Sequence, residues 1–312
     1  GFHSIAVTDD GCGIPADEIS LALERHATSK IQTEEDLARI RTLGFRGEAL
    51  PSIAAVSHLA LRTRTGDAEN GTRIRSEGGR VLSTEPCAMT HGTSVAVSHL
   101  FFNTPARKKF MKSKGTEFGH IERTIRKFAL ARPDLEILLE HDGEITFQLQ
   151  SAKTLAERIA QLYGKDFASS VQTFRAEDGP YFVEGVVSQP TITFSRPQEL
   201  WFFVNGRPIA DRMLQSAVME GYRTLLMEHR YPLGVVKLKI LPHLVDVNVH
   251  PAKTEVRFAE SQPIFRLVAD SIASAFRTSG DTSSLLSPLQ RPLSRYERRE
   301  EVSSELFTAH SD

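Results

Sequence analysis

Between His58 and Ser98 the chain runs through four short stretches of strand-forming residues, HLALRT, TRIRSE, RVLSTE and GTSVAVS. Gly78-Gly79 joins the second to the third. Runs of this length, rich in Val, Ile, Leu and Thr and separated by turn residues, predict strands of one antiparallel sheet. Helical patterns flank them, so the arrangement predicted is α+β. Upstream, HSIAVTD over residues 3–9 predicts a buried strand. It leads through Ile14-Pro15 into ADEISLALERHA, which sets Ile19, Ala22, Leu23 and Ala27 on one helical face. Thr33, followed three residues later by Asp36, opens a short helix, TEEDLARIRTL, that stops at Gly44. GFRGEALPSIAAVS then reads as a glycine-rich turn feeding another helix. Pro51 suits that helix only in its first turn, where a backbone N–H has no intrahelical partner to lose.

Downstream, FFNTPARKKF leads into a helical stretch, TEFGHIERTIRKFALAR, and a hairpin whose Asp142-Gly143 is a two-residue turn signal. A new pattern starts near Lys153 with the helix TLAERIAQLYG and strands YFVEGVVS and ELWFFV. An Asn205-Gly206 turn, the helix RMLQSAVMEGYRTLLMEH, the strand VVKLKIL and the amphipathic helix PIFRLVADSIASAF follow. At roughly 100–200 residues per domain, 312 residues predict two domains. We place them at 1–152 and 153–278, with the Ser-, Thr-, Pro- and charge-rich residues 279–312 as a disordered linker.

With 38 Lys and Arg against 39 Asp and Glu, the balance excludes a wholesale nucleic-acid coat protein and leaves room for a local basic surface. One segment qualifies: Asn103 to Lys127 holds eight Lys and Arg against two Asp and Glu. Cys12 and Cys87 have neither CxxC nor Cys/His spacing, which argues against a zinc site or a disulfide framework. No stretch approaches the roughly 18 apolar residues of a membrane helix, and the N-terminal residues show neither a basic n-region nor an apolar h-region. A cytoplasmic setting is predicted. A start at Gly1, immediately before a strand pattern, predicts a fragment.

Several motifs could carry chemistry. VTDDGCGIP puts the carboxylate of Asp9 at a strand end, followed by Gly11 and Gly13 on either side of Cys12. Glycines let backbone approach a flat ligand, and a carboxylate accepts hydrogen bonds only, which suits an exocyclic amino group such as adenine N6. The same residues also spell an ordinary surface Asx turn. GFRGEAL brackets an arginine with glycines just before a helix. That serves either for phosphate binding by unpaired amides or for a plain tight entry into the helix. It is neither a P-loop nor a dinucleotide fingerprint. RHATSKI supplies hydroxyls and the cation of Lys30, suited to phosphate or to a helix C-terminus. Thr93 in HGTSVAV opens a strand. DVNVHPAKTEVRF holds Lys253 on a turn fixed by Pro251, from which a point charge can reach a terminal phosphate.

In this order, DDGCGI, RHATSKI, GFRGEAL, GT, LFFNTPARKKF, FVNGRPI and DVNVHPAKTEVRF resemble the MutL family of DNA mismatch-repair proteins, over residues 5 to about 277. That family belongs to the GHKL-type ATPase superfamily, with the gyrase B subunit, the large heat-shock ATP-dependent chaperone and histidine kinases. The resemblance implies an adenine-binding α/β sandwich followed by a ribosomal-protein-like βαβ transducer domain. It implies that Asp9, Gly11, Gly13 and Thr93 hold adenine. Ser29, Lys30, Gly44, Phe45, Arg46, Gly47, Glu48, Ala49 and Leu50 would hold phosphates, and Lys253 would act as the catalytic lysine at the γ-phosphate. It also implies Mg²⁺ with ATP, DNA (double- or single-stranded), a mismatch-recognition protein, downstream repair proteins and ATP-driven homodimerisation of the N-terminal halves. No membrane partner is implied.

Two departures stand out. The family's first motif carries the glutamate that activates water and the asparagine that holds Mg²⁺, and no E-x-x-x-N precedes Asp9. This chain is therefore expected to be deficient in hydrolysis. Asp10 stands where the pattern often has Asn. Arg107, Lys108, Lys109, Lys112 and Lys114, with Arg207 and Arg212, predict a DNA-backbone groove; the alternative is a solvated helix face. The competing functional class is a DNA-binding or scaffold module that works without nucleotide.

Overall fold

The computed structural model describes residues 2–24, 47–246 and 256–278. The first sheet contains β1 (Ser4–Asp9), β2 (His58–Arg64), β3 (Gly71–Glu77), β4 (Arg80–Cys87) and β5 (Gly92–Ser98). Their order is β1-β5-β2-β3-β4, and every neighbouring pair is antiparallel. The turn from β3 to β4 falls on Gly78 and Gly79, at φ +57° and +85°, a conformation glycine adopts without a Cβ clash. Leu59, Leu61 and Ile74 are buried from one face of the sheet against Ala54 of the helix α1 (Ala49–Ala54) and against Ile19. Pro51 is the third residue of α1, inside the first turn as expected.

Two expectations here need correction. The strand over residues 3–9 is present but is not buried: every residue of β1 except Ile5 is exposed, and Val7 is 61% exposed. β1 is an edge strand laddered to β5 alone, and the packing by α1 and Ile19 lies over β2 and β3. The segment ADEISLALERHA keeps the predicted inward residues, with Ile19 buried and Ala22 and Leu23 half-buried. It does so through a turn over 16–20 and a single 3-10 turn, Leu21–Leu23. Its bonds are mostly of the i to i+3 kind: Glu18 to Pro15, Leu23 to Ser20 and Glu24 to Leu21. Ala27 and the helix TEEDLARIRTL lie outside the described residues.

The chain continues through α2 (Pro105–Lys109) into α3 (Lys114–Ala131), capped by the Ser113 hydroxyl, which accepts the Thr116 N–H. A hairpin follows, β6 (Ile137–His141) and β7 (Glu144–Leu149). Asp142 and Gly143 take positive φ, as a primed two-residue turn requires. Next come α4 (Leu155–Tyr163), capped by Thr154, and the short α5 (Lys165–Ala168).

A second five-stranded sheet is built from β8 (Val171–Asp178), β9 (Tyr181–Ser188), β11 (Leu200–Val204), β12 (Arg207–Ile209) and β14 (Gly234–Ile240). Two-residue strands β10 (Thr193–Phe194) and β13 (Tyr231–Pro232) pair beside it. The sheet order is β12-β11-β14-β9-β8. β11 and β14 are parallel, joined through α6 (Arg212–Tyr222), which is the expected β-α-β arrangement. β8 escapes the sequence reading because VQTFRAED alternates charged residues with apolar ones too sparsely. β15 (Val245–Asp246) pairs with β16 (Arg257–Phe258), and α7 (Ser261–Thr278) ends the described chain. The linker 279–312 lies outside the described residues.

Helices cover both faces of this second sheet. α6 and α7 pack on Val183, Phe202, Val204, Val236 and Leu238. Leu130 of α3 and Ile159 of α4 pack on Val186, Trp201, Phe203 and Val235. The helix expected to run to His229 stops at Tyr222, whose hydroxyl donates to the Ser188 carbonyl. Beyond it Leu225 and Met227 are exposed, and Leu226 reaches the core without a helix. Among the described residues no helix is long and apolar enough to cross a membrane.

The α6–α7 seam closes on a glycine. A Cβ on Gly221 would stand 2.8 Å from Ile272 Cβ and 2.9 Å from the Ala269 carbonyl oxygen. Gly221→Leu is expected to lower stability by about 1–3 kcal/mol, read as a drop in the urea midpoint at unchanged m-value.

Candidate functional site

β1 delivers Asp9 to the end of the first sheet, and the chain turns at once. Asp9 Oδ1 accepts the Gly11 N–H at 3.0 Å, so the Asx turn is present and occupies one carboxylate oxygen. The second oxygen makes no hydrogen bond among the described residues, and Asp9 is exposed. The two glycines are needed for different reasons. A Cβ on Gly11 would lie 2.9 Å from Asp9 Oδ1. Gly13 has φ +74°, and a Cβ there would fall 2.2 Å from the Arg64 carbonyl oxygen, which no side chain tolerates.

Strand register completes the site. Asp9 lies directly opposite Thr93 on β5, and Thr93 lies directly opposite Thr63 on β2. Opposed residues of antiparallel strands share a face, so the three side chains form one polar row across three strands. Backbones crowd at its edge: Gly92, at φ +116°, leaves no room for a Cβ, which would meet the Asp9 carbonyl oxygen at 2.0 Å. Thr63 is 1% exposed and binds three groups through one oxygen. Its Oγ1 accepts the Ile14 N–H at 2.7 Å, lies 3.1 Å from the Gly92 carbonyl oxygen and lies 3.2 Å from Thr93 Oγ1.

Sequence reasoning passed over Thr63. The available signal was a threonine in the inward register of HLALRT, where Leu59 and Leu61 are buried.

Gly47, at φ +61°, and Glu48, Ala49 and Leu50 lead into α1. Leu50 and Ile14 pack on the same small core, which brings the start of α1 to the layer that carries the Asp9 turn. Ser29, Lys30, Gly44, Phe45, Arg46 and Lys253 lie outside the described residues.

The basic residues fall into two sets. Arg107, Lys108 and Lys109 are exposed on α2, and Lys112 and Lys114 are exposed after it. Arg207, on β12, is half-buried, and that burial holds its guanidinium below its ordinary pKa. Arg212 is the exposed first residue of α6. α3 bridges these sets and carries three cations that were not singled out from sequence, of which Arg126 is paired with Glu122 at 2.8 Å. The Arg123 guanidinium lies 4.3 Å from the centre of the Trp201 ring. Burial, and then the charge of Arg123, lower the pKa of Lys127. Among the described residues no group of three or more His, Cys, Asp or Glu side chains could hold a metal ion.

A family model for the DNA mismatch repair protein C-terminal domain matches residues 159–277. The DNA mismatch repair protein MutL of Citrifermentans bemidjiense is 44% identical over 277 residues, which is 89% of this chain and 43% of that protein. The MutL protein of Geobacter sulfurreducens is 42% identical over 293 residues, 94% of this chain and 48% of that protein. The chain belongs to the MutL family. It spans less than half the length of these curated MutL relatives. The Aquifex aeolicus MutL ATPase domain complexed with ADP superposes with a TM-score of 0.57 at 25% identity, covering 85% of each chain. The N-terminal domain of a DNA repair protein superposes with a TM-score of 0.75 at 22% identity, covering 89% of this chain and 86% of that one, and supports the fold.

Gly13→Ala is expected to destabilise this MutL-family chain by about 1–3 kcal/mol, because the substitution forces a strained φ and a backbone clash together. Chemical denaturation checks it, and Gly66→Ala, where a Cβ meets nothing within 4 Å, serves as the control.

Proposed function

We propose that this chain is an ATP-responsive module of a DNA mismatch-repair protein, in which nucleotide binding changes how the N-terminal halves associate and engage DNA and repair partners. The observation that carries this reading is the row Asp9–Thr93–Thr63 beside the glycine turn, in a chain so similar to MutL proteins along most of its length. The site chemistry fits an adenine nucleotide. A carboxylate oxygen with no hydrogen bond among the described residues and a threonine hydroxyl on one face offer acceptors to an exocyclic amino group, and the glycines admit a flat ring.

In this reading Asp9, Gly11, Gly13 and Thr93 hold adenine. Ser29, Lys30 and residues 44–50 hold phosphates; Mg²⁺ would neutralise their charge, and with no E-x-x-x-N before Asp9 to activate water and hold that ion, hydrolysis by this chain is expected to be deficient. Lys253 meets the γ-phosphate. A lysine paired with that group before hydrolysis and left without it afterwards supplies the difference in interaction energy that a switch requires. The nucleotide and transducer units are assigned to 1–152 and 153–278, and 279–312 to a linker. Arg107, Lys108, Lys109 and Lys112 contact the DNA backbone, with Arg207 and Arg212 extending the track. The partners that follow are DNA, a mismatch-recognition protein, downstream repair proteins and a second copy of the chain.

Asp9→Ala is expected to weaken ATP binding by about 1–3 kcal/mol, roughly ten- to hundred-fold, since the amino group loses its acceptor. Titration calorimetry on both proteins checks this; equal affinities would remove Asp9 from the pocket. For DNA, the double variant Lys108→Glu with Lys109→Glu is expected to flatten the slope of log K against log salt by about 2, one phosphate per residue. An unchanged slope would return these lysines to a solvated helix face. A module indifferent to nucleotide would show the same DNA affinity and oligomeric state with and without ATP.

A further inference from the structure

The hydrogen-bond count around Thr63 fixes the direction of its neighbour's hydroxyl. A threonine hydroxyl has one proton and two lone pairs. The Gly92 carbonyl can only accept, so the Thr63 proton goes there. One lone pair of Thr63 Oγ1 takes the Ile14 N–H. The remaining lone pair faces Thr93 Oγ1 at 3.2 Å, and with the Thr63 proton already committed, Thr93 has to be the donor in that contact. Burial strengthens the argument, because at 1% exposure no solvent substitutes for any of the three partners.

We infer that Thr63 is the positioning residue that sets base specificity at this site, by holding the Thr93 hydroxyl proton away from the ligand. Thr93 then presents only lone pairs outward, and Asp9 across the ladder presents a carboxylate oxygen. The row is an acceptor-only edge. It complements an exocyclic amino group, as in adenine, and opposes a ring carbonyl at the same place, as in hypoxanthine or guanine. This rests on the nucleotide reading given above. It adds that a residue with no surface of its own to offer the ligand decides which purine is read.

The test compares ATP with ITP, whose hypoxanthine carries a carbonyl and a ring N–H where adenine carries an amino group and a bare nitrogen. Affinities are measured on the chain and on Thr63→Ser, Thr63→Val and Thr93→Val. The chain and Thr63→Ser, which keeps the hydroxyl, are expected to prefer ATP by about tenfold or more. Thr63→Val releases the Thr93 proton to swing outward and donate to the carbonyl, while Asp9 accepts the ring N–H, so the preference is expected to fall to within about threefold. A general loosening of the turn would lower both affinities and leave their ratio alone. Thr93→Val tests the same edge where Thr63→Val folds poorly, and is also expected to narrow the ratio. A wild-type ratio in Thr63→Val or in Thr93→Val would overturn the inference. Equal binding of ATP and ITP by the unmodified chain would overturn it while leaving the nucleotide reading in place. Binding of neither nucleotide would overturn both.

Discussion

All five residues of β11, Leu-Trp-Phe-Phe-Val, are buried, and that double-sided burial organises most of the molecule. A strand that is apolar in both registers needs a layer on each face. One layer is local, α6 and α7, packed so closely that Gly221 admits no side chain. The other is recruited from upstream, from α3 and α4. α3 is held there by more than Leu130. The Lys237 ammonium donates to the Ala131 carbonyl at 3.3 Å, and the buried Arg158 donates to the Pro133 and Leu135 carbonyls just beyond the helix end. Removing a charged donor from two such carbonyls is costly, so these bonds tie the chain at the end of α3 to α4.

The start of α3 is tied differently. The segment before α2 is anchored to the first sheet's helix, where the Phe101 N–H donates to the Val56 carbonyl at 2.6 Å and the Asn103 side chain donates to the Ala55 carbonyl at 2.9 Å. α2 and α3 together therefore run from one sheet's layer to the other's, with the exposed cations of α2 at the junction.

How much of this was legible in the sequence varies with the physics of each element. Strands with a strong alternating or continuous apolar pattern, such as HLALRT and ELWFFV, were readable because burial dictates them. The Asp142-Gly143 and Gly78-Gly79 turns were readable because positive φ narrows the choice of residue. β8 was not, since this edge strand turns few apolar side chains inward, Phe174 alone among them fully buried, and so carries little apolar signal. The exposure of β1 was not readable either. Ser4 to Asp9 has the composition of a buried strand, and only the placement of α1 and Ile19 over β2 and β3 decides otherwise. α6 looked longer than it is because the apolar residues Leu225, Leu226 and Met227 continue past Tyr222, where of the three Leu226 alone packs on the core.

The candidate site divides along the same line. Asp9, Gly11 and Gly13 announce themselves, because a carboxylate followed by glycines at a strand end is a local pattern. Thr63 does not, for its role exists only once register brings β1, β5 and β2 side by side. The same register explains why the turn and the ladder cannot be altered separately. Ile14 after the turn, Gly92 at the start of β5 and Thr93 next to it all converge on one hydroxyl, the first two through backbone groups, so loss of that hydroxyl acts on the turn and the ladder together. Valine in place of Thr63 keeps the shape of the core row and removes the shared proton. It also leaves the Ile14 N–H without its acceptor, so the ATP-to-ITP ratio, and neither affinity alone, reports hydrogen-bond direction.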